Sequence, residues 1–184
     1  YLADSGLEEI VREHEATVTY KPFDVITLFS RTGGTPPAQR HPLRQEYQLQ
    51  ELQRKSKKKR LPITLKPEYF PTNATPSFYA IIAAQADSSG DVGGLVQYIL
   101  SACWAEEKDI AQDDVIKDCL RQAGFDPALS DSGLLSGAET YLANLEKAVI
   151  RGVFGAPFYI VDDGPGFWGQ DRLNDLDSHL EGEF

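Results

Sequence analysis

The run Gly155-Ala156-Pro157 stands directly before Phe158-Tyr159-Ile160-Val161, and this junction constrains the fold more than any other in the chain. The four apolar and aromatic residues read as a strand. Asp162-Asp163-Gly164-Pro165-Gly166 then reads as a turn and Phe167-Trp168 as a short returning strand, which makes a β-hairpin. Proline lacks the N–H a ladder needs, so Pro157 at the mouth of a central strand implies either an edge position or a special, cis linkage. A cis bond here turns the N–H and C=O of Ala156 outward. Those two groups then offer an extended peptide a pair of ladder bonds.

The rest of the pattern is built around that hairpin. Leu2, Leu7, Ile10, Val11 and His14 recur at helical spacing up to Glu15, and Thr17 to Phe23 alternates as a period-two strand. A helix that runs straight into a strand implies an earlier strand completing a βαβ unit. Residues 30–42 carry too much Gly and Pro for regular structure and read as a loop. Pro42 suits the first turn of a helix that runs to the basic stretch Arg54–Arg60. From Pro76 to about Ala148 the pattern is helical, with breaks at 88–90, near 112–113, at 124–127 and near 136–137. Leu173, Leu176 and Leu180 mark a closing helix. This order is the thioredoxin layout, an α/β fold, with a helical block inserted between its βαβ and ββα halves. Residues 1–29 and 149–184 are expected to form the thioredoxin-like part and 30–148 the all-helical insertion. The chain has no Met and opens on Tyr1-Leu2, so the first strand is expected upstream of it.

At 184 residues the chain suffices for one domain, or one domain with a large insertion. A net charge of −10 argues against a nucleic-acid partner. No apolar run approaches the roughly 18 residues that cross a bilayer, and a cytoplasmic protein is expected. Charge is uneven. Between Arg40 and Arg60 eight basic residues face Glu46 and Glu51, a local +6 that leaves −16 for the remainder. This helix is read either as a solvated face or as a basic flank that draws in small anions. Cys103 and Cys119 lie on apolar helical faces, outside any C-x-x-C, and read as buried small hydrophobes. His14, His41 and His179 make no i, i+4 ligand pair, and no metal site is expected.

Two further features carry chemistry. Gly169-Gln170-Asp171-Arg172 lies between strand and helix, where free N–H groups bind a carboxylate and an Asp either caps the helix or accepts from an ammonium. That is a site for an α-amino-acid head group. Trp104 and Trp168 either pack in the core or line a cleft suited to a flat aromatic substrate.

Arg151–Val161, followed by Phe167-Trp168-Gly169-Gln170-Asp171-Arg172-Leu173, resembles the C-terminal signature of the 2-hydroxychromene-2-carboxylate isomerases, relatives of kappa-class glutathione transferases. Lys21-Pro22-Phe23, Thr32–Pro37, Phe70-Pro71-Thr72-Asn73 and Trp104–Ile110 extend the resemblance, in family order, over essentially the whole chain. The resemblance implies a thioredoxin-like fold with a helical insertion, a homodimer, and glutathione as cofactor. It implies that Ala156, before a cis Pro157, pairs with the cysteinyl part of glutathione. Gln170 and Asp171, with Arg172 nearby, would then hold the γ-glutamyl head, and Trp168 and Gly169 would belong to the same glutathione site. The family's catalytic Ser sits in a segment whose Tyr-Leu aligns with Tyr1-Leu2, so it is expected just upstream of Tyr1. The segment Ala74–Tyr79 lacks the Arg that relatives often carry there.

The expected function is therefore a glutathione-dependent isomerase of an aromatic-ring breakdown product of the hydroxychromene carboxylate type. Arg40, Arg44 and Asn73 are candidates for its carboxylate, since Arg offers a bidentate fork, and Trp104 for its ring. A kappa-type transferase or peroxidase is the nearest alternative. A disulfide oxidoreductase would need a cysteine pair upstream, and a non-catalytic binding domain would lack both Ser and Cys there.

Overall fold

The computed structural model describes residues 1–162 and 164–183. The hairpin forms as the sequence implies. Strand β1 (Phe158–Ile160) pairs antiparallel with β2 (Gly166–Trp168), Tyr159 opposite Phe167. Asp163 of the expected turn lies outside the described residues. Alternation along β1 splits its side chains between two cores. Tyr159 and Val161 join Phe167 against Ile10 of α1 (Asp4–Glu13) and Leu173 and Leu176 of α9 (Leu173–Leu180). Phe158 and Ile160 face a second cluster, Leu28, Leu145, Ala148 and Val153.

Leu28 belongs to α2 (Val25–Thr32), which replaces the start of the expected loop. Its ends are chemically marked: the Asp24 carboxylate accepts from the N–H of Ile26 and Thr27, and Gly33 closes the helix at φ 80°. The expected strand at 17–23 is not formed. Its central backbone groups are taken by a side chain, since Tyr20 N–H donates to Gln85 Oε1 at 2.7 Å and Gln85 Nε2 donates to Tyr20 C=O at 3.2 Å. Asn144 Nδ2 holds Pro22 C=O in the same way.

Helix α3 (Pro42–Lys59) begins at Pro42 as expected and ends in the left-handed Arg60. It buries no residue completely. The helical block follows as α4 (Thr75–Asp87), α5 (Val92–Trp104), α6 (Asp113–Gln122), α7 (Leu129–Ser132) and α8 (Leu134–Ile150). Its core gathers Ala84, Leu95 and Leu120, all inaccessible to solvent, with Cys103 and Cys119 beside them. The expected break near Ser136-Gly137 is absent, because Gly137 serves packing. A Cβ there would come within 2.7 Å of Tyr79 Cβ, so glycine lets α8 lie close against α4. Among the described residues no helix is long and apolar enough to cross a membrane.

Candidate functional site

A cleft of about 600 Å³ opens where the hairpin, α1, α3 and α5 meet. One wall is the tip of the thioredoxin-like part: Ala156, Pro157 and the run Trp168–Arg172. The opposite wall is apolar, with Leu52 of α3, Ile63 and Trp104. Tyr1, Leu2 and Ala3, which lead into α1, form its third side.

The Ala156–Pro157 bond is cis. Pro157 C=O accepts from Gly169 N–H at 3.0 Å, which ties the two halves of the first wall together. Ala156 takes no part in the backbone hydrogen bonds of the described residues and is exposed. Its N–H and C=O are therefore available to an extended chain. Trp168, 52% exposed, stands edge-on to Phe154 with ring centroids 4.9 Å apart. Trp104 across the cleft is backed by Phe70 at 4.6 Å.

Gly169 adopts φ 102°, a conformation L side chains rarely hold, and the Asp171 carboxylate folds over it. Gln170–Arg172 forms a 3-10 turn that runs directly into α9. Asp171 does not cap that helix; its carboxylate stands 3.8 Å from the Arg172 guanidinium, which also lies 3.6 Å from Asp175. Oε1 of Gln170 is buried with no hydrogen-bond partner among the described residues. An acceptor in that state calls for a donor, at a cost of roughly 1–3 kcal/mol while it is unmet.

The candidates drawn from the sequence thus divide. Ala156, Pro157, Trp168, Gly169, Gln170, Asp171, Arg172 and Trp104 meet in one cleft. Arg40 and Arg44 do not reach it: with Leu43, Tyr47 and Gln48 they line a separate hollow of about 280 Å³, where Arg40 donates to Thr35 C=O and Gln48 Oε1. Asn73 Oδ1 accepts Thr75 N–H at the start of α4, which is a helix-end role. Tyr1, Leu2, Ala3, Leu52 and Ile63 were not among the site residues expected from the sequence, although Tyr1-Leu2 was expected to adjoin the catalytic segment. Leu2 and Leu52 signal only a buried helix face, and nothing in their spacing distinguishes cleft from core.

Burial also shifts titratable groups away from their ordinary values. Asp4, the first residue of α1, is 7% exposed with Oδ2 unpartnered among the described residues, and burial, aided by the Glu8 carboxylate, pushes its carboxyl up to about 6. Burial also raises both thiols, Cys119 to about 11, which removes them as nucleophiles near neutral pH. Among the described residues no cluster of His, Cys, Asp and Glu could hold a metal ion.

The family of DSBA-like thioredoxin domains matches residues 1–181. A 2-hydroxychromene-2-carboxylate isomerase of Sphingobium xenophagum is 27% identical over 183 residues, covering 98% of this chain and 91% of its own. A solved structure of a 2-hydroxychromene-2-carboxylate isomerase superposes with a TM-score of 0.82 at 22% identity, covering all of this chain and 89% of that one. A crystal structure from Nitrosomonas europaea, provisionally assigned as a protein disulfide isomerase, superposes with a TM-score of 0.69 at 18% identity, over all of this chain and 92% of that one. Both structural likenesses concern the fold.

Proposed function

The chain belongs to the family of DSBA-like thioredoxin domains, and from that premise we propose that it is a glutathione-dependent isomerase of a hydroxychromene-carboxylate-type intermediate of aromatic degradation. The observation that carries this reading is the pairing, in one cleft, of the unengaged Ala156 backbone with the orphaned acceptor Gln170 Oε1. An extended peptide with an amino-acid head answers both needs. The cysteinyl unit pairs with Ala156, and the γ-glutamyl ammonium donates to Gln170 and to the Asp171 carboxylate. The 27% identical relative, matched along nearly its whole length, supports the isomerase part of this reading.

Bound there, glutathione supplies a thiolate that adds to the conjugated system of the substrate and leaves after a single bond has rotated, so no net redox change is needed. The protein's share is placement. Trp104, Leu52 and Ile63 offer an apolar wall to a flat ring, and water is kept from that side. Arg172, the cation among the described residues that line the cleft, is the group proposed for the substrate carboxylate. Its guanidinium lies 3.8 Å from the Asp171 carboxylate and 3.6 Å from that of Asp175, and Nη1 donates to Asp171 C=O at 3.5 Å.

The reading is tested by following a hydroxychromene carboxylate spectroscopically with and without glutathione while titrating free thiol. Isomerisation that requires glutathione and leaves the thiol titre constant is expected. A falling titre would make the protein a transferase, and isomerisation without glutathione would remove the cofactor from the account.

A further inference from the structure

Trp104 is the last residue of α5, and the shape of the apolar wall depends on where its indole lies. The main chain there is fixed. Thr64 N–H donates to Trp104 C=O at 2.7 Å, which joins the end of α5 to the residue after Ile63, its neighbour in the wall. The side chain is less constrained, since it is only partly buried against the helical core and turns about its own torsions. Among the described residues the ring that meets it is Phe70, with centroids 4.6 Å apart and planes tilted by 46°.

Phe70 is not among the described residues that line the cleft, lies outside the helical core and is 50% exposed. Its ring therefore meets the indole from outside the cleft. The segment that carries it is anchored: Phe70 N–H donates to Pro67 C=O at 3.1 Å, and Thr72 Oγ1 donates to Asp109 Oδ1 at 2.7 Å. Asp109 lies between α5 and α6, where its carboxylate also accepts from Ala111 N–H and Gln112 Nε2. The buried Ser77 hydroxyl, in the first turn of α4, donates to Ile110 C=O and closes the same seam. The segments before α4 and after α5 thus form one unit, with Phe70 and Trp104 as the ring pair across it.

We propose that Phe70 is a positioning residue for the substrate: it sets the plane of the Trp104 indole and so makes the cleft select flat fused-ring carboxylates over puckered acids of the same skeleton. This rests on the function proposed above, which takes the substrate to be aromatic. A flat ring makes offset or edge contact with a fixed indole, whereas a saturated bicycle is thicker and has no π face to offer. A well-placed aromatic pair contributes roughly twofold to tenfold in affinity, and an indole free to turn loses that gain to its own ordering.

The test is equilibrium dialysis of the full chain against 2-naphthoate and decahydro-2-naphthoate, for the parent, Phe70→Leu, Phe70→Tyr, Trp104→Leu and the double variant Phe70→Leu with Trp104→Leu. Phe70→Met replaces Phe70→Leu if the latter does not fold. The parent is expected to hold the flat acid about tenfold tighter than the saturated one. Phe70→Leu should lower that preference about twofold to tenfold by weakening the flat acid alone, Phe70→Tyr should keep it, and Phe70→Leu should change nothing further in the Trp104→Leu background. An unchanged preference in Phe70→Leu, or equal weakening of both acids, overturns the inference. So does a full effect in the Trp104→Leu background, since Phe70 would then act on the fold or touch the ligand itself. A parent that does not distinguish the two acids overturns it too and leaves the glutathione reading standing. A parent that binds neither acid overturns the aromatic-substrate reading and this inference with it.

Discussion

The indole of Trp168 lies directly on Gly155: a Cβ at position 155 would stand 2.5 Å from Trp168 Nε1. The glycine before the cis Ala156–Pro157 bond therefore lets the indole of Trp168 pack closely within the polar wall of the cleft. Gly155→Ala is expected to displace Trp168 and cost about 1–3 kcal/mol of stability through overpacking. Tryptophan emission should shift, and glutathione affinity should fall more than the melting temperature suggests. An unchanged emission spectrum would show that the indole does not depend on that contact.

Gln170 offers a contrast between stability and binding. Its Oε1 is a buried acceptor without a donor among the described residues, so Gln170→Leu should leave the free protein as stable or up to about 1 kcal/mol more stable. Glutathione affinity should nonetheless fall about tenfold to a hundredfold, the value of a hydrogen bond to a charged donor. Thermal unfolding of the free protein and equilibrium dialysis with glutathione read the two effects separately. A destabilised free protein would place the partner of Gln170 within the fold itself.

Asp4 makes stability depend on pH. Its folded carboxyl is raised to about 6 against an ordinary 3.8, so the folded state binds the proton more tightly than the unfolded state. Stability is then greatest below the unfolded value, falls as pH rises from about 4 to about 6, and is flat above. The loss amounts to at most about 3 kcal/mol. Asp4→Asn should accordingly be more stable than the parent at pH 8, with the gap closing by pH 4. Denaturant melts at the two pH values check this, and a parallel offset at both would assign the effect to packing.

How much was legible in the sequence follows from what kind of force fixes each part. The hairpin, α1, α3 and α9 could be read because local signals agree with the packing: alternation in Phe158–Val161, Pro42 at a helix start, leucines at helical spacing in α9. The segment 17–23 could not, because β-branched alternation states a preference and not a partner, and the partner of Tyr20 is the amide of Gln85, 65 positions away. Helix α2 carried a legible Asp24 cap and a Gly33 stop, both obscured by the Gly and Pro load of the residues that follow. Gly137 looked like a break and is a contact surface for Tyr79. The polar wall of the cleft could be read because it is contiguous in sequence. The apolar wall, Leu52, Ile63 and Trp104, is assembled from distant segments, and Arg40 and Arg44 were expected there only by chemistry, which says nothing about direction.

The central claim is that the cleft between Ala156 and Gln170 holds glutathione, and calorimetry with reduced glutathione on the full chain tests it most directly. The account predicts saturable one-to-one binding, weakened about tenfold or more by Asp171→Ala, which removes a charged acceptor for the γ-glutamyl ammonium. Heats indistinguishable from dilution in the parent protein, or binding unaffected by Asp171→Ala, would contradict it.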